Sequence, residues 1–278
     1  MSLLLAGLSA ILYGVADFSG GFSSNKNSTF SVVIVSQAAG IFLAFVALAL
    51  SASGIPTLSD ILWGMLGGFC GAVGLFTLYR GIAASIVAVV SPASALVSAV
   101  IPLIFGLIIG ERPSALALAG ASLCLPAVLL LSSGGDSSDG KSVKSALVQG
   151  LVAGVGFGFF FVAVSRSSPS SGLWPLVAAR GTSVLIFLSL VFMKKEKICI
   201  AKGSLPVTLL AGLADMGANI AFLLASRTGL LALASIVSSL YPAPTVILGR
   251  IVFKEKIPPT RLAGFGLALA GVVLISLK

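Results

Sequence analysis

Five polar side chains lie inside long apolar stretches of the sequence, where such residues usually face a partner or a cavity. They are Asp17, Gln37, Arg180, Asp215 and Asn219. Asp215 and Asn219 are four residues apart, so they share one helix face. A guanidinium does not deprotonate in proteins, so Arg180 requires a carboxylate partner or an anionic ligand. The set predicts ion pairing or ligand binding in an apolar environment.

Arg180 has two interpretations that the sequence leaves open. In the first, it pairs with Asp17 or Asp215 and holds helices together. In the second, it binds a substrate carboxylate or phosphate while an aspartate gives or takes a proton. The two are compatible, because an ion pair that opens on binding acts as a gate. Asp17 has a further interpretation, an interfacial carboxylate near the end of its helix, beside Gly20-Gly21.

Aromatic residues and prolines add candidates for a cavity wall and a hinge. Phe157 and Phe160 share a helical stripe, which fits an apolar cavity wall, although phenylalanines in membrane helices more often contact lipid or pack. Tyr241-Pro242, with Pro244 close by, predicts a kink. Such a kink is either a flexing point of a transporter or a static bend.

The chain that carries these residues is strongly apolar. Of its 278 residues, 58% are hydrophobic and 9% are charged, and none is histidine. Soluble domains carry about 25% charged residues, so a soluble domain and a disordered chain are both excluded. Without histidine the commonest general base is missing, and the three cysteines have no metal-binding spacing. We therefore expect no enzyme activity, no metal and no other cofactor.

The basic residues favour a membrane over a nucleic acid as the partner. The net charge is +9, but Lys and Arg stand singly between apolar runs, which is typical of charge that flanks membrane helices. Ten apolar stretches predict ten transmembrane helices and an all-α integral membrane fold. Their approximate limits are 2–22, 30–51, 58–79, 83–109, 114–132, 145–165, 172–193, 205–226, 229–252 and 260–277. The first stretch lacks a preceding Lys or Arg, so we expect a permanent helix and not a signal peptide.

A polar stretch near the middle divides the ten predicted helices into two sets of five. Its Gly, Ser, Asp and Lys residues predict a flexible linker over 133–144. The linker separates one five-helix repeat, over 1–132, from a second, over 145–278. Because each repeat has an odd number of helices, the second must enter the membrane inverted. Inverted repeats are the plan of many secondary transporters, whose substrate site lies between the repeats near the middle of the bilayer.

A shift of 144 residues aligns the two halves. It places 111–132 on 255–276 with nine identities in 22 positions, and Tyr13-Gly14 on Phe157-Gly158. Glu111 and Glu255 coincide, each in a turn before the last helix of its half. We expect a structural role for both, because a carboxylate there favours the N-terminus of the helix that follows.

These motifs resemble the drug/metabolite transporter superfamily, in its ten-helix EamA-type branch, over essentially the whole chain. The matching segments, in chain order, are Tyr13-Gly14-Val15-Ala16-Asp17-Phe18 with Gly20-Gly21, Gly110-Glu111-Arg112 followed by Gly120, Ser239-Leu240-Tyr241-Pro242, and Lys254-Glu255-Lys256. The resemblance implies a ten-helix inverted repeat that exports or exchanges small metabolites. It also implies a central cavity lined mainly by helices other than the fifth and tenth.

We therefore predict a multi-pass secondary transporter of the cell membrane, acting as a monomer or homodimer. It would export an amino-acid-like or related compound by alternating access, with coupling to a proton or to the substrate gradient. The alternatives are a membrane-embedded enzyme, a channel and a scaffold protein. Lys and Arg number eleven in the loops on one side and four on the other. This imbalance predicts that the first side is cytoplasmic and that both termini lie outside.

Overall fold

A computed structural model describes residues 1–51, 54–83, 87–131, 140–253 and 259–277, and these ranges contain helices and no β-strand. Eleven α-helices are present in them: α1 (Ser2–Ser24), α2 (Thr29–Leu50), α3 (Leu58–Ala83), α4 (Val87–Ile108), α5 (Ala115–Leu131), α6 (Gly140–Ser165), α7 (Trp174–Lys194), α8 (Leu205–Thr228), α9 (Leu231–Ser238), α10 (Pro242–Phe253) and α11 (Pro259–Ser276). Short 3₁₀ turns precede α7 and α8.

Six of these helices contain segments long and apolar enough to cross a membrane. The segments lie in α1, α2, α3, α6, α7 and α8, and shorter apolar helical segments lie in α4, α5 and α11. The surface is apolar as well, with Phe42 and Phe192 exposed by 68% and 86%. Polar side chains such as Ser98 and Thr208 are buried instead. This distribution reverses that of a soluble protein.

Two predicted boundaries differ from the structure. Helix α6 begins at Gly140, so residues 140–144 of the predicted linker are helical, and 133–139 lie outside the described residues. Lys and Ser side chains are compatible with a helical turn that continues past the apolar segment. The predicted ninth helix, 229–252, is two helices, because residues 239–241 form a turn between α9 and α10.

The prolines account for the interruption between α9 and α10. Pro242 is the first residue of α10 and Pro244 lies in its first turn. Proline has no N–H, so it disrupts the interior of a helix but is tolerated in the first turn. The kink expected from sequence is therefore a full break.

Antiparallel and parallel helix pairs surround the centre of the molecule. Helix α1 packs along α8, with Ser2 bonded to Ala225 at one end and Ser23 to Thr208 at the other. Helix α3 packs on α6 and α7, and α2 packs on α7 and α8. Helix α5 packs chiefly on α11. The pair of α5 and α11 contributes no residue to the central cavity described below.

Two glycines allow the closest of these approaches. A Cβ atom at Gly68 would overlap the carbonyl oxygen of Ala179, where α3 meets α7. A Cβ atom at Gly212 would overlap the carbonyl oxygen of Ser36, where α8 meets α2. Small residues at such contacts let membrane helices come together along their backbones.

Candidate functional site

A small cavity lies between α1, α2, α3, α6, α7 and α8. Its volume is about 30 Å³, which is room for only one or two water molecules. Four of the five polar residues singled out in the sequence line it: Gln37, Arg180, Asp215 and Asn219. The fold therefore gathers side chains from three separate helices at one point.

Arg180 and Asp215 form an ion pair at the wall of this cavity. Arg180 Nη2 lies 2.5 Å from Asp215 Oδ2, and the two residues are only 8% and 7% exposed. Arg180 Nη1 donates to Gln37 Oε1 at 2.5 Å. Arg180 Nε faces the sulfur of Met216 at 3.4 Å. Of the two partners considered for Arg180, Asp215 is the one in contact.

Asn219 extends the polar cluster to α1. Its amide nitrogen donates to the backbone oxygen of Asp215 at 2.6 Å, and its Oδ1 accepts a hydrogen bond from the Tyr13 hydroxyl at 2.7 Å. Sequence reasoning did not select Tyr13 as a site residue. A signal was present, because Tyr13 precedes Asp17 by one helical turn and so shares its face.

Asp17 lies in a second, smaller cavity that adjoins the first. This cavity has a volume of about 20 Å³, and Tyr13, Phe157 and Asp215 line both cavities. Asp17 is 4% exposed and lies almost two turns before the end of α1. It is thus buried within the helix bundle. None of the hydrogen bonds among the described residues ends on its carboxylate.

The aromatic candidates divide between the two cavities. Phe160 lines the central cavity, and Tyr241 lines the smaller one beside Asp17. The Tyr241 hydroxyl donates to Ser94 Oγ at 3.0 Å. Pro242 lines neither cavity. Its position at the break before α10 leaves a hinge role as a prediction.

The charges around the two cavities do not balance. One guanidinium, Arg180, faces two carboxylates, Asp215 by direct contact and Asp17 across the shared wall. Across the described part of the chain, no group of three or more Cys, Asp or Glu side chains could hold a metal ion. The arrangement is suited to binding a charged organic molecule or a proton.

A second charged cluster, which sequence reasoning missed, lies where α3 begins and α8 ends. Asp60 accepts hydrogen bonds from the backbone N–H groups of Thr57 and Ser168 at 2.9 and 2.7 Å and from their hydroxyls. Arg227 donates to the backbone oxygens of Gly172 and Ser168 at 2.8 and 2.9 Å. The cluster fastens the loop between α6 and α7 to α3 and α8.

Glu111 caps a helix of the other half. Its carboxylate oxygens accept hydrogen bonds from the backbone N–H groups of Leu231 and Ala232 at 2.7 and 2.9 Å. Pairing with a helix N-terminus was expected, but the helix is α9 and not α5, because the loop after α4 lies against the start of α9. Glu255 lies outside the described residues.

Comparison with known proteins adds to this geometry. Residues 140–277 match the EamA-like transporter family. No curated protein matches the chain. A crystal structure of another protein superimposes on it with a TM-score of 0.72, over 99% of this chain and 98% of that chain, at 18% sequence identity. At that identity the likeness establishes a shared fold alone. The chain belongs to the EamA-like transporters of the drug/metabolite transporter superfamily, and it is a multi-pass membrane protein that transports small molecules.

Proposed function

We propose that the protein is a secondary transporter that exports a small charged metabolite across the cell membrane by alternating access, as a monomer or homodimer. The ion pair of Arg180 and Asp215 carries this proposal, because it lies at a cavity that helices of both halves surround. The free-energy cost of removing two charges from water commonly exceeds the free energy gained when they pair. A role beyond stability would explain why such a pair is present at the centre of a membrane protein.

The side chains around the cavity suit an amino-acid-like zwitterion. In this proposal, Arg180 takes the carboxylate of the substrate and Asp215 takes its ammonium group, while the amides of Gln37 and Asn219 supply hydrogen bonds. The substrate would replace one ion pair with two. The cavity, at about 30 Å³, is too small for such a molecule, so binding requires the helices to separate. Substrate binding is thereby linked to a change of conformation.

Asp17 supports coupling to a proton. With both carboxylates ionised, Asp17 and Asp215 would outnumber Arg180 in an apolar environment, where an uncompensated charge is costly. A proton on one of the two carboxylates would restore the balance, whereas a zwitterionic substrate adds no net charge. Asp215 is engaged by Arg180, whereas Asp17 receives no hydrogen bond from the described residues. Asp17 is therefore the better candidate to carry the proton.

Alternating access would follow from two inverted five-helix repeats, over 1–132 and 145–278, joined by the linker. Packing supports this. The offset of 144 residues maps α1 onto α6 and α3 onto α8, and the two corresponding pairs, α1 with α8 and α6 with α3, are each in contact. The same offset aligns Gly68 with Gly212. Each of these glycines meets a backbone carbonyl of the second helix in the opposite half.

Flux into proteoliposomes tests the proposal. We expect Asp215→Asn to abolish counterflow of labelled amino acids, tested one at a time, because the ammonium group would lose its partner. Asp17→Asn should retain counterflow, which needs no net proton movement, but lose the response to an imposed pH gradient. Gly181→Ala is a suitable control, since nothing lies within 4 Å of a Cβ atom there. Full counterflow in Asp215→Asn would contradict the assigned site.

The orientation of the chain is a separate proposal with its own test. The charge imbalance favours a cytoplasmic position for the loop before α8, and this loop contains the exposed Cys199. A membrane-impermeant maleimide should label Cys199 in inverted vesicles and not in intact cells. Ser170→Cys, in a Cys199→Ser background, should show the opposite pattern. Labelling of Cys199 in intact cells would place the termini inside.

A further inference from the structure

An apolar cleft opens between α3 and α7 on the outer surface of the helix bundle. The two helices are in backbone contact at Gly64 with Pro175 and at Gly68 with Ala179. Beyond these contacts they enclose a cleft of about 290 Å³. It is almost ten times larger than the central cavity, and Ala72 lines both.

Aromatic rings form the floor of the cleft. Phe30, Phe76 and Phe187 pack in a triangle, with ring centroids 4.7 to 6.4 Å apart. Phe69 also lines the cleft and is 56% exposed. The interior of the cleft therefore offers an apolar surface of the kind that accommodates an acyl chain.

Two cations stand at the end of the cleft where α3 and α7 both terminate. Arg80 lies in the last turn of α3 and Lys194 is the last residue of α7, and both line the cleft. Lys194 Nζ lies 4.6 Å from the centroid of the Phe30 ring. Neither cation forms an ion pair with any described carboxylate. Nearby Glu196 lies toward Ser28, with 3.4 Å between side-chain oxygens, and does not line the cleft.

We infer that this cleft is a binding site for an anionic phospholipid, with an acyl chain against the aromatic floor and the phosphate between Arg80 and Lys194. The charge of the headgroup complements the two cations, and the length of the cleft along α3, from Phe69 to Arg80, complements the chain. Basic pockets between membrane helices recognise anionic headgroups in this way. A bound lipid would fill the space between α3 and α7 beyond their backbone contacts at Gly64 and Gly68. The cleft shares Ala72 with the central cavity, but its aromatic and basic lining residues do not line that cavity, and the inference does not depend on the proposed substrate.

Quenching of a tryptophan placed in the cleft tests the site. The reporter is Phe69→Trp in a Trp63→Phe/Trp174→Phe background, reconstituted without substrate. Brominated phosphatidylglycerol and brominated phosphatidylcholine with the same chains are the quenchers. A cation at a membrane surface favours anionic lipid by roughly fivefold, so the pair should favour phosphatidylglycerol by up to about 25-fold. Equal quenching by the two lipids would overturn the inference.

Charge variants separate a defined site from general surface attraction. Arg80→Gln/Lys194→Gln should nearly abolish the preference, so that phosphatidylglycerol and phosphatidylcholine quench almost equally. Lys197→Gln/Lys202→Gln removes two exposed charges of the same loop region that do not line the cleft, so it should leave the preference intact. An equal loss in both double variants would overturn the site. Because quenching is measured without transport, its result does not depend on whether the proposed substrate is correct.

Discussion

The two clusters that contain an arginine and an aspartate are built differently. At the ends of α3 and α8, Asp60 and Arg227 bond to backbone groups and to serine and threonine hydroxyls of adjacent loops. In the centre, Arg180 and Asp215 bond to each other and to side chains, beside a cavity. Backbone partners of a folded loop are fixed, whereas side chains can exchange partners for a ligand. The comparison distinguishes the cluster of Asp60 and Arg227, which holds a loop in place, from the cluster of Arg180 and Asp215, which is the proposed substrate site.

Removal of charge from the central cluster should have the largest effect. Arg180→Gln or Asp215→Asn alone leaves one buried charge unpaired, which is expected to destabilise the protein by about 3–5 kcal/mol. The double variant Arg180→Gln/Asp215→Asn should recover most of that stability yet remain inactive in flux assays, since both ligand partners are gone. Thermal unfolding in detergent, measured beside flux, checks both expectations. Recovery of transport in the double variant would make the pair structural only.

Removal of Asp60 should affect stability and not transport. Asp60→Ala leaves the N–H groups of Thr57 and Ser168 without their acceptor, so we expect a loss of about 2–4 kcal/mol. Flux per folded molecule should stay within about twofold of the parent, because Asp60 lines neither cavity. Arg227→Gln is the matched variant on the other side of the cluster. A selective loss of flux in either variant would mean that the cluster of Asp60 and Arg227 also takes part in transport.

Glycine substitutions give the smallest and most local comparison. Gly212→Ala would force α8 away from the backbone of Ser36 and should destabilise the protein by about 1–3 kcal/mol. Gly181→Ala, beside Arg180, meets nothing within 4 Å and should be neutral or stabilising by up to about 1 kcal/mol. Unfolding midpoints of the two variants measure this difference. Equal midpoints would mean that α2 and α8 are not in backbone contact.

The sequence predicted the central residues because their polarity conflicts with their surroundings. Arg180 and Asp215 are conspicuous in apolar stretches, and so is Asn219. Arg180 pairs with Asp215 and not with Asp17 because of how α7 and α8 approach each other. The spacing of residues within one helix does not specify that approach. Tyr13 was missed because a tyrosine in a membrane helix has ordinary packing roles.

The second cluster could not be recognised from spacing. Asp60 and Arg227 stand near predicted helix ends, where charges are expected for other reasons. Their importance comes from a loop that folds between them. The helix break before Pro242 was partly predictable, because two prolines cannot continue a regular helix. The identity of the helix that Glu111 caps was not, since it follows from contact between the two halves.

The ion pair also has a consequence for the return step of a transport cycle. A carrier that binds its cargo through a lone arginine would have to move a bare charge across the membrane whenever it reset without cargo. Here Asp215 neutralises Arg180 by direct contact. In the proposed cycle, the unloaded carrier would therefore reset at little electrical cost once Asp17 is protonated. If the proposed cycle holds, the protein would support net efflux and would not be confined to one-for-one exchange.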